Sequence, residues 1–181
     1  MSILSRVKHE RTKRLCMDAC LVAFAMMLSY LEAVLPLQAI IPLPGFRLGL
    51  ANVAVMATFC LFSPVDAACV SAIRILLVGL LFGSATSLYF SALGGLCSFL
   101  MLLLLRYVGK RLSFIGASVL CAAAHNTGQI IAAVTLFGTG IVFSYLSLLL
   151  IASAVYGGVV GLLLNLMIPR LEKRVRGRGE S

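Results

Sequence analysis

The residues best equipped for chemistry in this chain sit together in "CAAAHNTGQIIAA", residues 121–133. His125, Asn126, Thr127 and Gln129 bring an imidazole, two carboxamides and a hydroxyl into an otherwise apolar run. His125 and Gln129 are four residues apart, so a helix places them on one face, and Ser118 and Cys121 continue that stripe. Asn126 and Thr127 flank it, while Ile130, Ile131 and Val134 mark other faces. A small, polar stripe of this kind turns toward a bundle interior or a cavity rather than toward lipid. There it can bond to a neighbouring helix or read the hydrogen-bonding edges of a polar ligand. A proton relay through His125 is a poorer match, because few acidic residues are present to continue it.

Two arginines extend the set. Arg74, in "CVSAIRILLVGL", falls well inside an apolar run. A cation at mid-membrane depth costs roughly 2.5–3.5 kcal/mol on insertion scales, so it needs protein, water or an anion around it. Asp66 and Glu32 are the acidic partners within reach of the sequence pattern; an anionic ligand or snorkelling to the interface are the alternatives. Arg47, in "PGFRLGLANVAV", follows a proline-rich loop and stands at the start of the next apolar run, read as a helix start. Free backbone N–H groups and the positive dipole end favour an anion there, and a guanidinium adds a two-pronged donor. An interfacial anchor is the equal alternative for Arg47, and Asn52 lies elsewhere on the same helix.

These residues need elements to hold them, and composition says which. Of 181 residues, 61% are hydrophobic and 12% charged, with a mean hydropathy of +1.09. A soluble domain of this size cannot hide that much apolar surface, so lipid is the natural solvent. A bilayer core of about 30 Å needs roughly 20 apolar residues per helix. Reading between breakers gives six spans, 15–36, 47–62, 65–82, 84–106, 113–137 and 141–168, the second and third being short. The breakers are "PLQAIIPLPGF" (36–46), "SPVD" (63–66) with Ser63 or Pro64 opening a helix, "FGS" (82–84) and "FGTG" (137–140). The run from Leu15 is too long for the apolar region of a signal peptide and carries Glu32, so it reads as a retained first span.

Charge orients the bundle. The formal net charge is +9, but thirteen of the 15 Lys and Arg fall in "RVKHERTKR" (6–14), "RYVGKR" (106–111) and "RLEKRVRGR" (170–178). Six spans put all three clusters on one side, which the excess of basic residues marks as cytoplasmic. The expected fold is therefore all-α: a polytopic, multi-pass cell-membrane protein with six transmembrane helices and both termini cytoplasmic. Its organisation is a basic tail at 1–14, a helical domain at 15–168 and a second basic tail at 169–181. Clusters flanking apolar spans contact lipid headgroups, and nucleic acid is not an expected partner.

Catalysis finds little support. No G-x-x-x-x-G-K-[ST] motif is present, so the chain does not hydrolyse ATP by itself. Its only aspartates are Asp18 and Asp66, whereas magnesium–diphosphate chemistry gathers several carboxylates around the metal. No nucleophile elbow occurs. The six cysteines show no zinc spacing and read as small packing residues, so neither metal nor cofactor is expected. Packing motifs are more evident: "ACLVA" (19–23) pairs Ala19 with Ala23, "ACVSA" (68–72) pairs Ala68 with Ala72, and "GFRLG" (45–49) spaces two glycines likewise. Small residues four apart let another helix approach closely. Gly94–Gly95 and Gly157–Gly158–Gly161 mark further close contacts.

Three stretches, "LPLPGFRLGLANVAVM" (41–56), "LLFGSATSLYFSALGGLCS" (80–98) and "FIGASVLCAAAHNTGQIIAA" (114–133), carry a resemblance to a bacterial family. The chain resembles the family labelled "Gx transporter" or "heptaprenyl diphosphate synthase component I" over nearly its whole length outside the basic tails. The first label implies a likeness to the substrate-binding S components of energy-coupling factor transporters. Those are six-helix membrane proteins that capture a vitamin on the outer side and dock on a transmembrane coupling subunit driven by two ATPase subunits. On that likeness His125, Asn126 and Gln129 would read a ligand's hydrogen-bonding edges, Arg47 an acidic or carbonyl group and Arg74 a second anion contact. The ligand would be a flavin-like or other anionic or polar vitamin. Ala19, Ala23, Ala68 and Ala72 would face the coupling subunit. The second label implies a non-catalytic membrane partner of a prenyl diphosphate synthase.

Overall fold

The computed structural model describes residues 3–34, 47–81, 84–108, 113–138 and 146–176, with side chains described from residue 12 and, in the last helix, over 149–172. Six helices and no strand occur among them: α1 (Ile3–Val34), α2 (Asn52–Leu61), α3 (Pro64–Leu81), α4 (Ala85–Val108), α5 (Phe114–Phe137) and α6 (Leu146–Arg176). The proline-rich segment 36–46 and the glycine at 83 lie outside the described residues.

All the helices except α2 are long and apolar enough to cross a membrane. Their outward faces carry Leu76, Leu80, Leu96, Leu104, Ile151 and Leu162, surface that lipid covers and water would penalise. The second expected span is the exception. α2 has ten residues, about 15 Å of helix, where 47–62 was expected to be helical throughout. Gly49, at φ +84°, turns the chain, and Leu50 and Ala51 form a tight turn before the helix begins. The helix that follows, "NVAVMATFCL", is apolar all round and buried from Asn52 to Thr58, as a helix enclosed by others must be.

Local chemistry sets most other boundaries. Ser63 Oγ accepts the Asp66 backbone N–H at 3.3 Å and donates to the Asp66 carboxylate at 2.9 Å. With Pro64 in the first turn, this caps α3. Arg14 of α1 closes the corner by an ion pair to the same carboxylate, its Nε at 3.0 Å. Ser84 accepts from the Ser87 N–H at the start of α4, and Ser113 from the Gly116 N–H at the start of α5. Two helices run further than the hydropathy pattern: α1 continues back through the basic residues to Ile3, and α6 passes Pro169 to reach Arg176.

α5 is the central helix, packed most extensively on α4 and α6. Of its most apolar window 44% is buried, against 17% for α1, which packs on α2 and α3 at the periphery. Close approach makes the α5 contacts possible. A Cβ at Gly128 would stand 2.4 Å from the Leu93 carbonyl oxygen of α4, and one at Gly161 2.4 Å from Ile115 Cα. Gly158, grouped with these by sequence, faces open space.

The ends of the bundle follow from contacts. Arg14 lies over the Phe62 ring and Arg106 over the Phe59 ring, both where α2 finishes. Gly161 against Ile115 brings the later half of α6 to the start of α5, so α6 finishes at that end too. Arg14 of α1, Arg106 of α4 and Arg170 of α6 thus gather at one end. Above the apolar layer of Val53, Met56, Leu102, Val160 and Leu164 near that end lies a polar layer, and above it a second apolar cluster of Leu48, Phe90, Ile130 and Leu149.

Candidate functional site

The polar layer forms where the Arg47–Ala51 segment enters the bundle against α5. The stripe expected on α5 is all inward: Ser118, Cys121, His125 and Gln129 are each at most 2% exposed. Gln129 grips the incoming backbone. Its Nε2 donates to the Arg47 carbonyl at 2.7 Å, and its Oε1 accepts the Arg47 N–H at 3.4 Å. That pairing fixes which end of the amide is which.

The tautomer of His125 follows. Gln129 Nε2 also lies 2.7 Å from His125 Nε2 and can only donate, so Nε2 accepts and the ring is neutral with its proton on Nδ1. The Asn52 Nδ2 position lies 3.3 Å from Nδ1 and 3.5 Å from Ser98 Oγ; because a protonated Nδ1 donates, the amide is assigned with its ends exchanged, so that the oxygen accepts from the ring. Glycines let the ring fit: a Cβ at Gly94 would stand 2.7 Å from Cε1, and one at Gly49 3.1 Å from Cδ2. Gly49 therefore serves a turn and a side-chain contact, while Gly45, its counterpart in "GFRLG", lies outside the described residues.

The anion expected at the start of α2 is supplied by the chain itself. Glu32 of α1, 3% exposed, accepts the Leu50 N–H through Oε1. Arg47 points inward and donates from Nε to Ser87 Oγ at 3.0 Å. Asn126, beside the stripe, donates to the Leu149 carbonyl of α6 at 2.7 Å, while Thr127 faces outward and bonds back to the Ala123 carbonyl.

Arg74 stands apart. It is 3% exposed, and its one described hydrogen bond runs from Nη1 to Ser29 Oγ at 3.5 Å. Of the acidic partners expected for it, Asp66 is held by Arg14 and Ser63 at the far end of α3, and Glu32 is turned to Leu50. Among the described residues Arg74 has no ion pair, although Glu32 and Arg47 are close enough for their charges to act on it. Buried atoms without a partner include Arg74 Nε and Nη2, Glu32 Oε2, Ser118 Oγ and Asn126 Oδ1.

Structure thus joins His125, Gln129 and Arg47 directly, places Asn126 and Arg74 beside them, and adds Glu32, Asn52, Ser87 and Ser98. Asn52 could have been found by its amide in an otherwise apolar helix. The serines carry no comparable signal, being common in membrane helices. A cavity of about 10 Å³ adjoins the layer, bordered by Asn52, Ser118 and Tyr156, and has room for about one water. On the outer side, Ala19, Ala23 and Ala72 are exposed and Ala68 half-buried, whereas Ala25 is the α1 residue buried with Ala51 and Ala54.

Comparison with curated proteins and with solved structures returns no match. The family model described as heptaprenyl diphosphate synthase component I matches residues 21–167, which include every residue of the polar layer. An apolar helical bundle carrying that match over most of its length is a membrane component, and the chain belongs to the heptaprenyl diphosphate synthase component I family.

Proposed function

We propose that this protein is the membrane-embedded, solute-binding subunit of an energy-coupling factor type transporter for a small polar molecule. The observation that carries the reading is the polar layer: Glu32, Arg47, Asn52, Arg74, His125 and Gln129, all buried at one level between two apolar layers. Ionisable groups within membrane-spanning helices are costly and most often mark solute or ion pathways. The end bearing Arg14, Arg106 and Arg170 faces the cytoplasm on the basic-residue rule, which puts the polar layer toward the outer half. The exposed small side chains Ala19, Ala23 and Ala72 offer a close-approach surface for a transmembrane coupling subunit, itself driven by ATPase subunits.

In this reading Arg47 to Ala51 fills the solute's place. A flavin-sized ligand is far larger than a one-water cavity, so binding requires this segment to give way to it. His125, Asn126 and Gln129 would then exchange bonds to the chain for bonds to the ligand. The test is affinity capture of the full-length protein from membranes, with mass spectrometry of proteins and retained small molecules. Recovery of a coupling subunit with an ATP-binding cassette pair is the expected result.

The family description favours a second reading, a non-catalytic membrane partner of a prenyl diphosphate synthase. Capture of an aspartate-rich prenyltransferase without the ATPase pair would establish it and reject the first.

A further inference from the structure

The polar layer does not balance its charge. Two guanidiniums, Arg47 and Arg74, and one carboxylate, Glu32, are buried there, and no other buried charge occurs among the described residues. His125 is neutral by its hydrogen bonds, since Nε2 accepts from Gln129. One positive charge is therefore left over in a region of low dielectric. Swinging Glu32 onto Arg74 would not remove it, because Arg47 would then be the unmatched cation. A buried charge without a counter-charge is among the most unfavourable arrangements in a fold.

The orphan atoms say where the counter-charge goes. Arg74 Nε and Nη2 form one edge of the guanidinium, with parallel N–H groups spaced to grip two oxygens of one carboxylate or phosphate. Both are buried and unpartnered, while Nη1 on the opposite side is directed to Ser29. The free edge lies near Gly95 of α4, where an added Cβ would meet Ile75 Cδ1 at 2.9 Å, Ser71 Oγ at 3.7 Å and Arg74 Nη2 at 3.8 Å. Ser71, three residues before Arg74 on the same helix, is also buried and brings a hydroxyl to the same glycine.

We infer that Arg74 is a built oxyanion site, taking a carboxylate or phosphate group side-on through Nε and Nη2 against Gly95 and Ser71. The inference deepens the solute-site reading and rests on it for the origin of the group: the ligand carries a single negative charge at this end. Arg74 is the residue that recognises charge. Without a ligand, His125 and Gln129 make their bonds to the chain and hold the layer in shape. The same chemistry has two sources, a soluble carboxylate or phosphate and the phosphate of a lipid headgroup.

The experiment is a thermal-unfolding titration of the full-length, delipidated protein in neutral detergent at constant ionic strength. The probes are sodium phosphate, sodium acetate and dioctanoyl phosphatidic acid, with sodium chloride as the balancing salt. Wild type is expected to show a saturable rise in midpoint with at least one oxyanion. Arg74→Gln should abolish it, and Arg74→Lys, which keeps the charge but loses the fork, should weaken it by about tenfold. Glu32→Gln keeps the acceptor for the Leu50 N–H and removes a like charge, so apparent affinity should rise by about tenfold. A response to phosphate or acetate assigns a soluble ligand, and a response to the lipid alone assigns a headgroup. No saturable response in wild type, or an equal one in Arg74→Gln, overturns the site; if Arg74→Gln does not fold, an undiminished response in Arg74→Lys does the same. Capture of the ATPase pair is a separate measurement, so the transporter reading can fail while the oxyanion site stands.

Discussion

Gln129 and Arg74 are both buried, both polar and both within the membrane-spanning helices, yet they are used in opposite ways. Gln129 makes bonds to Arg47 N–H, Arg47 C=O and His125, so its amide is fully engaged by the chain. Arg74 is directed to one hydroxyl and leaves two N–H-bearing atoms without partners. The difference teaches that burial of a polar group is not by itself a mark of a ligand site. A satisfied group must give up bonds to the chain before it can meet a ligand; an unsatisfied, charged one has something to gain at once.

Substitutions can break this contrast. Gln129→Ala should be the most damaging, because it orphans two backbone groups of Arg47 and the His125 acceptor at once. A loss of about 2–4 kcal/mol is expected in mixed-micelle denaturation, at about 1–3 kcal/mol per orphaned buried group with partial relaxation. Arg74→Met should go the other way. In buffer free of phosphate and carboxylate it removes an uncompensated charge, so stability should stay level or rise by about 1–3 kcal/mol. A large loss would mean that Arg74 has a structural partner after all.

Smaller effects sharpen the comparison at the edges. Ser63→Ala removes the cap of α3 and one anchor of Asp66, and about 1 kcal/mol should be lost in the same assay. Thr127→Val should change stability by less than about 0.5 kcal/mol, since its hydroxyl faces outward and bonds only to its own helix. The tautomer has its own readout: ¹⁵N resonances of labelled protein should show His125 protonated on Nδ1, and a proton on Nε2 would contradict the Gln129 arrangement.

Much of this fold was legible in the residues. Apolar runs and breakers located five long helices to within a few residues at most ends, and Ser63–Pro64 marked the start of α3. The stripe Ser118–Cys121–His125–Gln129 was readable as one inward face, because helical spacing alone puts it there. The second span was not. Hydropathy sees an apolar run from residue 47, whereas the Gly49 turn and the Leu50 bond to Glu32 keep 47–51 out of the helix, which begins at Asn52.

What the sequence by itself determined is the solvent, the helices and the set of costly polar residues, since each depends on composition and local spacing. Tertiary structure decided the partners. Glu32 meets Leu50 rather than Arg74, Asp66 meets Arg14, and Asn52 meets His125. The physical reason is that a hydrogen bond is fixed by distance and direction between atoms far apart in the chain, and residue type sets only what each group requires.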